Sequence, residues 1–419
     1  MLMHIPSLKS KTKKTSITTL EASPFLYMPL QAYKTPLKPL VNVGDLVLKN
    51  EKIAKSNGVF AGSLHSPVSG KIIAIETESE FPHIKIENDF LDTCIEINST
   101  SVEHLTEEEI LETIKNFGIE GSGGAKFPTH TKYNTQQKNI SHFIINGAEC
   151  EPYLSADYAV MQQETEALLK AIQLVQKVIK AEKITFGIEK QHKELQSHLL
   201  KNAKKLNISI QIKLLPNTYP QGGELQLIKA VTGKELPKGS IPAEHGITVS
   251  NVGTLWAIYE AFYNEQPYIE RIITISGEKA INRGNFKVAI GTPVSHILEE
   301  IGLPWNTENQ TVILGGPMMG KAIYQPETPI NKGSGGVLIL PNPTNKRYNC
   351  IQCGYCTDVC PQHLMPMEFA RYNTEKNIQK LYEFNLNDCI ECGACAYICP
   401  SDVPLMKSIV EGKNLLHNA

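Results

Sequence analysis

The sequence predicts a multidomain chain of α/β and β modules closed by a small, helical, cysteine-rich domain. Three observations lead there. The 419 residues are too many for one small module and enough for several domains with sizeable cores. The middle of the chain alternates helix-period and strand-period apolar patterns, the mark of an α/β domain. Eight of the ten cysteines crowd into the last seventy residues, which sets that segment apart from everything before it.

Composition narrows the class. Apolar residues make up 41% and charged residues 20%, as in ordinary globular proteins. Lys+Arg 41 against Asp+Glu 43 leaves a net charge of −2, so no basic excess points to nucleic acid as a partner. No apolar run approaches the roughly 18 residues of a membrane helix; the strongest, 143–145 and 337–340, are strand-sized. Near the N-terminus, Lys9, Lys11, Lys13 and Lys14 precede a stretch broken by Glu21, Pro24 and Pro29, which is no signal peptide. The expectation is a cytoplasmic protein that does not cross the membrane, with residues 1–29 as a basic arm. Four lysines without an apolar pattern read as a disordered tail, with weak attraction to an anionic membrane surface.

Residues 36–76 carry short alternating apolar runs punctuated by Gly44-Asp45 and by Pro67 and Gly70, a pattern of short strands and tight turns. The run resembles the barrel-sandwich module of biotinyl and lipoyl carriers. Those carriers present a lysine at a hairpin tip, whereas the corresponding segment here is Gly58-Val-Phe-Ala-Gly-Ser-Leu, so a structural module is expected. Residues 107–117, 162–180 and 190–204 read as helices, with the strand-like 184–188 between the last two. After Pro267 come strand patterns at 269–276 and 286–290, a helix near 295–301 and a strand at 311–314. This order suggests a compact β-grasp domain ending near Pro341, followed by the linker Asn342-Pro-Thr-Asn345.

The cysteines form two copies of one pattern: Cys350-Ile-Gln-Cys353-Gly-Tyr-Cys356-Thr-Asp-Val-Cys360-Pro361 and Cys389-Ile-Glu-Cys392-Gly-Ala-Cys395-Ala-Tyr-Ile-Cys399-Pro400. Both follow the bacterial ferredoxin run, in which three close thiolates wrap one face of a [4Fe–4S] cube and the fourth reaches to the other cube. Two clusters are therefore expected, one on Cys350, Cys353, Cys356 and Cys399, the other on Cys389, Cys392, Cys395 and Cys360. Paired CxxC motifs also make zinc sites, but a repeated run of four cysteines plus proline is the cluster signature. Between the copies, 367–372 and 378–384 have helical apolar spacing. Cys94 and Cys150 have no sequence neighbours of this kind and read as buried structural thiols.

Residues 121–133 read Gly-Ser-Gly-Gly-Ala-Lys-Phe-Pro-Thr-His-Thr-Lys-Tyr. Such a turn either presents backbone N–H groups to a phosphate, with Lys132 adding charge, or is simply a turn. It is neither a Walker A loop nor a Rossmann fingerprint, because it follows a helix pattern and lacks Gly-Lys-Ser/Thr.

Together with Asn146-Gly-Ala-Glu149-Cys-Glu151-Pro152, Tyr219-Pro-Gln-Gly222-Gly-Glu224 and Asn251-Val-Gly-Thr, this loop resembles the FMN- and NADH-binding fold of the complex I flavoprotein subunit. Over roughly residues 30–410 the chain is similar to the RnfC family of Rnf electron-transport complexes. That resemblance implies five segments: the arm 1–29, a barrel-sandwich hybrid module 30–105, an FMN/NAD-binding α/β domain 106–266, an SLBB β-grasp domain 267–341 and a helical domain of two [4Fe–4S] clusters 342–419. It implies FMN near Gly121, Gly123, Gly124, Lys132, Asn146, Glu151, Tyr219 and Asn251, with Phe127 as a stacking residue. Glu149 and Glu224 match acidic positions near the nicotinamide nucleotide. Two departures stand out: Lys126 occupies a position where the family usually has glycine, and the lysine-rich arm replaces a Gly-Gly-Ile-His-Pro-Pro opening.

The function implied is that of a peripheral redox subunit at the cytoplasmic face of the membrane. It would pass electrons between NAD(H), FMN and two clusters, in a ferredoxin:NAD oxidoreductase coupled to ion transport. Its partners would be the membrane subunits of an Rnf-type complex and, through them, ferredoxin. Two other readings remain at this point: a soluble adapter that feeds NADH electrons to a reductase, and an electron wire that keeps the clusters without nucleotide chemistry.

Overall fold

Four apolar runs pair as a wholly parallel sheet in the order Gln211–Leu215, Lys183–Glu189, His142–Gly147, Ile247–Asn251. Parallel strands must be covered on both faces, and these are near-continuously buried along Phe143–Ile145 and Ile184–Ile188. The computed structural model describes residues 3–96, 101–135, 138–237, 239–306, 308–344 and 346–418; Asn345 of the expected linker lies outside them. Helix Thr165–Ile179 packs its buried Leu168, Ile172, Val175 and Ile179 into the main core, which it shares with helix Val252–Tyr263. Helix Glu107–Asn116 begins at a reciprocal capping box, Thr106 with Glu109, that satisfies two of its free N–H groups.

Ahead of this domain, two small antiparallel sheets face each other. One has the order Phe25–Pro29, His83–Asn88, Gly70–Glu76, Leu46–Val47, the other Lys38–Pro39, Lys52–Lys55, Ser63–His65. Leu26, Met28, Ile53, Ile72, Ile84 and Ile86 fill the space between them. The hairpin tip at Val59 and Phe60 reaches onto the Gly-rich loop: Thr131 Oγ1 donates to the Val59 carbonyl at 2.7 Å, and the Phe60 ring lies 5.8 Å from that of Phe127.

A mixed six-stranded sheet follows, in the order Ile17–Thr19, Gly284–Ala289, Glu270–Ser276, Gly336–Leu340, Thr311–Leu314, Lys321–Ile323, with helix Val294–Glu300 against it. Its first strand comes from the N-terminal arm. The reading of Lys9 to Lys14 as a disordered tail is therefore corrected. Ile17–Thr19 pairs in parallel with the edge strand Gly284–Ala289, Thr12 is fully buried, and Asn285 Nδ2 donates to the Thr12 carbonyl at 3.0 Å. Met3 exchanges backbone hydrogen bonds with Tyr219 in both directions, at 3.2 and 2.7 Å. An unpaired sheet edge and a line of polar partners order a segment that has no core pattern of its own.

The last segment is helical. Helices Pro366–Thr374, Ile378–Glu383 and Leu405–His417 bury Phe369, Leu381, Leu386 and Ile409 against one another, and short helices Tyr355–Asp358 and Ala394–Ile398 each begin at a glycine in the left-handed region, Gly354 and Gly393. Among the described residues no helix is long and apolar enough to cross a membrane.

Candidate functional site

Because all four strands of the parallel sheet run the same way, their carboxyl ends share one edge. Asn146 and Asn251 are register partners there, and the strand order reverses between them, where open α/β sheets bind ligands. Asn146 Nδ2 donates to the Gly222 carbonyl at 2.9 Å, and its Oδ1 accepts from Ala148 N at 3.1 Å, shaping the turn that leads to Glu149. Asn251 caps helix Val252–Tyr263 through Gly253 N at 2.8 Å and donates to Asp157 Oδ2 at 2.7 Å. Gly123 lies over this asparagine: a Cβ there would come 3.7 Å from the Asn251 Cβ.

The Gly-rich loop is closed by Gly121 N, which donates to the Phe127 carbonyl at 2.9 Å, and is pinned below by Ser122, whose N–H donates to Thr254 Oγ1 at 2.9 Å. Residues 123–125 are exposed backbone with no side chain beyond a methyl group, and a Cβ on Gly124 would meet nothing within 4 Å. Lys132 stands behind it, donating to Glu224 Oε1 at 3.1 Å and to the Val249 carbonyl at 3.2 Å, with its ammonium 5.9 Å from the Phe127 ring centroid. An open glycine backbone with a lysine alongside fits the phosphate of a flavin nucleotide. Tyr33 and Phe60 pack edge-on to Phe127 at 5.2 and 5.8 Å, so the barrel-sandwich module walls one side of the loop.

Lys126 has φ +55°, in the region that favours glycine, which is the physical sense of the glycine usual at this position. Its stem runs against the backbone at Gly333, 2.9 Å from where a Cβ would stand. The side chain thus leans on the six-stranded domain.

Glu149 is 10% exposed at its side chain, and its Oε1 accepts from Asp157 N at 3.1 Å. Its Oε2 is buried without a hydrogen-bond partner and lies 3.8 Å from Lys9 Nζ. Lys9 also donates to the Glu149 carbonyl. Burial pushes the Glu149 carboxyl up to about 8, against the pull of Lys9; burial likewise raises Asp157 and Glu189. Cys150, between the two glutamates, accepts from Gly222 N at 3.3 Å, and burial pushes its thiol up to about 12. It is the buried thiol the sequence suggests, but Cys94 is exposed, which corrects that expectation.

Two residues placed around FMN by resemblance have their polar atoms engaged elsewhere. The Glu151 carboxylate accepts from Met318 N at 3.0 Å and Met319 N at 2.8 Å, and Gly316 leaves it room, since a Cβ there would lie 2.2 Å from Glu151 Oε2. The Tyr219 ring is buried and its hydroxyl donates to the Cys392 carbonyl at 2.6 Å. Lys9 and Asp157 belong to this constellation but escaped the sequence reading. Asp157 looks like any acidic residue in the first turn of a helix, and Lys9 like any solvated lysine.

The eight clustered cysteines divide into two sets. Cys360, Cys389, Cys392 and Cys395 line one cavity of about 330 Å³, partly open to solvent, with Leu364 and Phe369 beside them. Cys350, Cys353, Cys356 and Cys399 line a second of about 380 Å³. Four thiols around an apolar space fit a cube-shaped cluster, and among the described residues no three His, Cys, Asp or Glu side chains draw together as a single-ion site. The two sets differ in setting. Cys350 and Cys353 are exposed, as are Tyr348, Ile351 and Tyr355 around them. Cys392 instead packs with Tyr219, Met3, Met318 and Cys150.

An α/β domain with a phosphate-type loop, seated directly on a domain with two four-thiol cavities, defines an electron-transfer protein of the flavin and iron–sulfur class. Family models match as the RnfC barrel sandwich hybrid domain over residues 3–100, the Nuo51 FMN-binding domain over 114–260 and the 4Fe-4S dicluster domain over 349–403. The first begins inside the lysine-rich arm, so the arm is part of the family's fold and does not replace its opening. The RnfC protein of the Na(+)-translocating ferredoxin:NAD(+) oxidoreductase complex of Acetobacterium woodii is 35% identical over 402 residues, covering 92% of this chain and 89% of that protein. Its counterpart in the proton-translocating ferredoxin:NAD(+) oxidoreductase complex of Clostridium ljungdahlii is 36% identical over 395 residues, covering 90% and 85%. The counterpart in the ion-translocating oxidoreductase complex of Haemophilus influenzae is 34% identical over 419 residues, covering 97% of this chain and 64% of that protein. The chain spans between 51% and 64% of the length of the Haemophilus relatives. The NAD+-reducing [NiFe]-hydrogenase in its H2-reduced state shares the fold, with TM-score 0.54 and 18% identity, covering 76% of this chain and 62% of that one. The chain belongs to the RnfC family, whose members are components of ion-translocating oxidoreductase complexes.

Proposed function

We propose that this chain is a redox subunit carrying electrons between NAD(H), FMN and two [4Fe–4S] clusters, within a membrane complex that exchanges electrons between ferredoxin and NAD and couples this to ion transport. It would sit at the cytoplasmic face, held by membrane subunits rather than by a span of its own. The observation that carries this reading is the seam between Tyr219 and Cys392, where the flavoprotein-type domain meets a four-thiol cavity.

Bound FMN supplies the exchange between two-electron hydride chemistry and one-electron carriers. The residues of this chain do the rest. The backbone of Gly121, Gly123 and Gly124 and the Lys132 ammonium would hold the phosphate, with Asn146 and Asn251 shaping the crevice below. Phe127, walled by Tyr33 and Phe60, offers an apolar ring to a planar group. Glu149, with one unpartnered buried oxygen, holds or releases a proton near neutral pH, the range in which an acid–base group works best. The cavity of Cys360, Cys389, Cys392 and Cys395 lies on the flavoprotein side. That of Cys350, Cys353, Cys356 and Cys399 lies at the surface, so the exposed set is the one that would face a partner subunit.

The test is anaerobic purification with iron, sulfide and flavin analysis, followed by rapid mixing with NADH. Flavin bleaching followed by loss of cluster absorbance supports the reading. The Lys126→Gly variant extends it: because the Lys126 stem leans on Gly333, the natural protein should react with NADH without the substitution. Flavin reduction gained only by Lys126→Gly would move the chain to the electron-wire reading.

A further inference from the structure

The N-terminal arm delivers a cation into the candidate site. Lys9 is only 2% exposed, and a buried ammonium requires charged or polar partners to offset its lost hydration. Its partners belong to Glu149: the backbone carbonyl, to which Nζ donates, and the carboxylate, 3.8 Å away. From there a chain of contacts runs to the Gly-rich loop. Glu149 Oε1 accepts from Asp157 N at 3.1 Å, Asp157 Oδ2 accepts from Asn251 Nδ2 at 2.7 Å, and Asn251 supports Gly123. The arm is held for this task at several points. Tyr153 N donates to the Ser7 carbonyl at 2.9 Å, Ser155 Oγ donates to Thr12 Oγ1 at 2.8 Å, and Lys13 pairs with Glu194 at 2.7 Å.

We propose that Lys9 is a positioning residue of this site: its ammonium holds the Glu149 carboxylate in an ionisable state and, through Asp157, sets Asn251 beneath the Gly-rich loop. The proposal rests on the reading of Glu149 and Asn251 given above. Every element packed around Glu149 contributes charge. Asp157 comes from helix Ala156–Gln163, Glu189 from the end of strand Lys183–Glu189, and Cys150 and Glu151 from the same turn. Lys13, His192 and Glu194 lie beyond Glu189, and Arg271 beyond Asp157. The neighbouring acids all oppose a charge on Glu149, and burial opposes it further. Lys9 is the cation drawn up against it. Without that ammonium the carboxyl is locked in its neutral form through the physiological range, and a proton-holding group becomes an inert one.

The experiment uses the full chain with its clusters, as Lys9→Met, Lys9→Arg and the natural sequence. Glu149→Gln identifies the Glu149 carboxyl band in pH-dependent infrared difference spectra, a readout that needs neither flavin nor NADH. Lys9→Met should move the Glu149 midpoint up by about one pH unit or more, and Lys9→Arg by only a few tenths, since a nearby charge acts on that scale. A Lys9→Met protein that is less heat-stable but titrates Glu149 at the natural midpoint would show a merely structural lysine and overturn the proposal. Should Lys9→Met not fold, the charge-keeping Lys9→Arg assigns the Lys9 Nζ resonance in ¹⁵N-lysine spectra of the natural protein. That resonance must then shift with the Glu149 midpoint, and its indifference would overturn the proposal equally. Natural protein that binds no FMN, or is inert to NADH, would remove the functional reading while these midpoints still decide what Lys9 does to Glu149.

Discussion

The Tyr219 hydroxyl donates a 2.6 Å hydrogen bond to the Cys392 carbonyl, across 173 residues of chain. It ties the segment that follows the parallel strand Gln211–Leu215 to the middle of a cluster motif, and burial around it shuts water out of the seam. Removing the donor leaves a carbonyl without its partner. Tyr219→Phe is therefore expected to cost about 1–3 kcal/mol, the usual penalty for an orphaned buried acceptor. Thermal unfolding followed by cluster absorbance checks this, and loss of the Cys392-side cluster before the Cys350-side cluster would be its local signature.

Stability should fall as pH rises across neutrality, and Glu149 should be one cause. Folding raises its carboxyl from 4.5 to about 8, so between those values the folded chain keeps a proton that the unfolded chain has lost. The stabilising contribution is complete below 4.5 and is lost as pH passes through about 8. Asp157 and Glu189, raised in the same direction by burial, add to the slope. Melting midpoints measured over a pH series should fall less steeply in Glu149→Gln.

The two cysteine sets make a sharp expectation for the clusters. Anaerobic protein should hold about eight iron and eight sulfide per chain. Cys360 lines the cavity of Cys389, Cys392 and Cys395, although in sequence it closes the other motif. Cys360→Ser should therefore alter the electron paramagnetic resonance signal of the cluster on Cys389, Cys392 and Cys395. A change confined to the signal of Cys350, Cys353 and Cys356 would contradict it.

Lys332 joins three parts of the molecule. Its buried ammonium donates to the Ser63 and Gly118 carbonyls, both at 2.7 Å, and lies 3.8 Å from Glu120, while its carbonyl accepts from Arg271. Breaking such a pair strands a buried charge and costs about 3–5 kcal/mol. Lys332→Met should lower the melting midpoint strongly. Substituting Glu120→Gln as well should recover part of the loss, which a double-mutant cycle measures.

The eight thiols were legible because their ligand spacing is local: two residues, two residues and three, then proline. The strands 269–276 and 311–314 and the helix 107–117 were legible for the same reason, since each carries its own apolar period within a few turns. The helix Leu405–His417 was not, because its buried Leu405, Ile409 and Gly412 gain meaning only against Leu381 and Leu386. The strand Ile17–Thr19 is three residues long and is stabilised by the edge it joins rather than by its own pattern.

By itself, then, the sequence determined the cluster ligands, the alternation of the α/β domain and the order of the modules, because each is written in neighbouring residues. Only the tertiary structure decided what the lysine-rich arm does. A lysine without neighbours of its own kind belongs in water by default, and the partner that draws Lys9 inside is a glutamate 140 residues away, at the carboxyl end of a sheet that must fold before the two can meet.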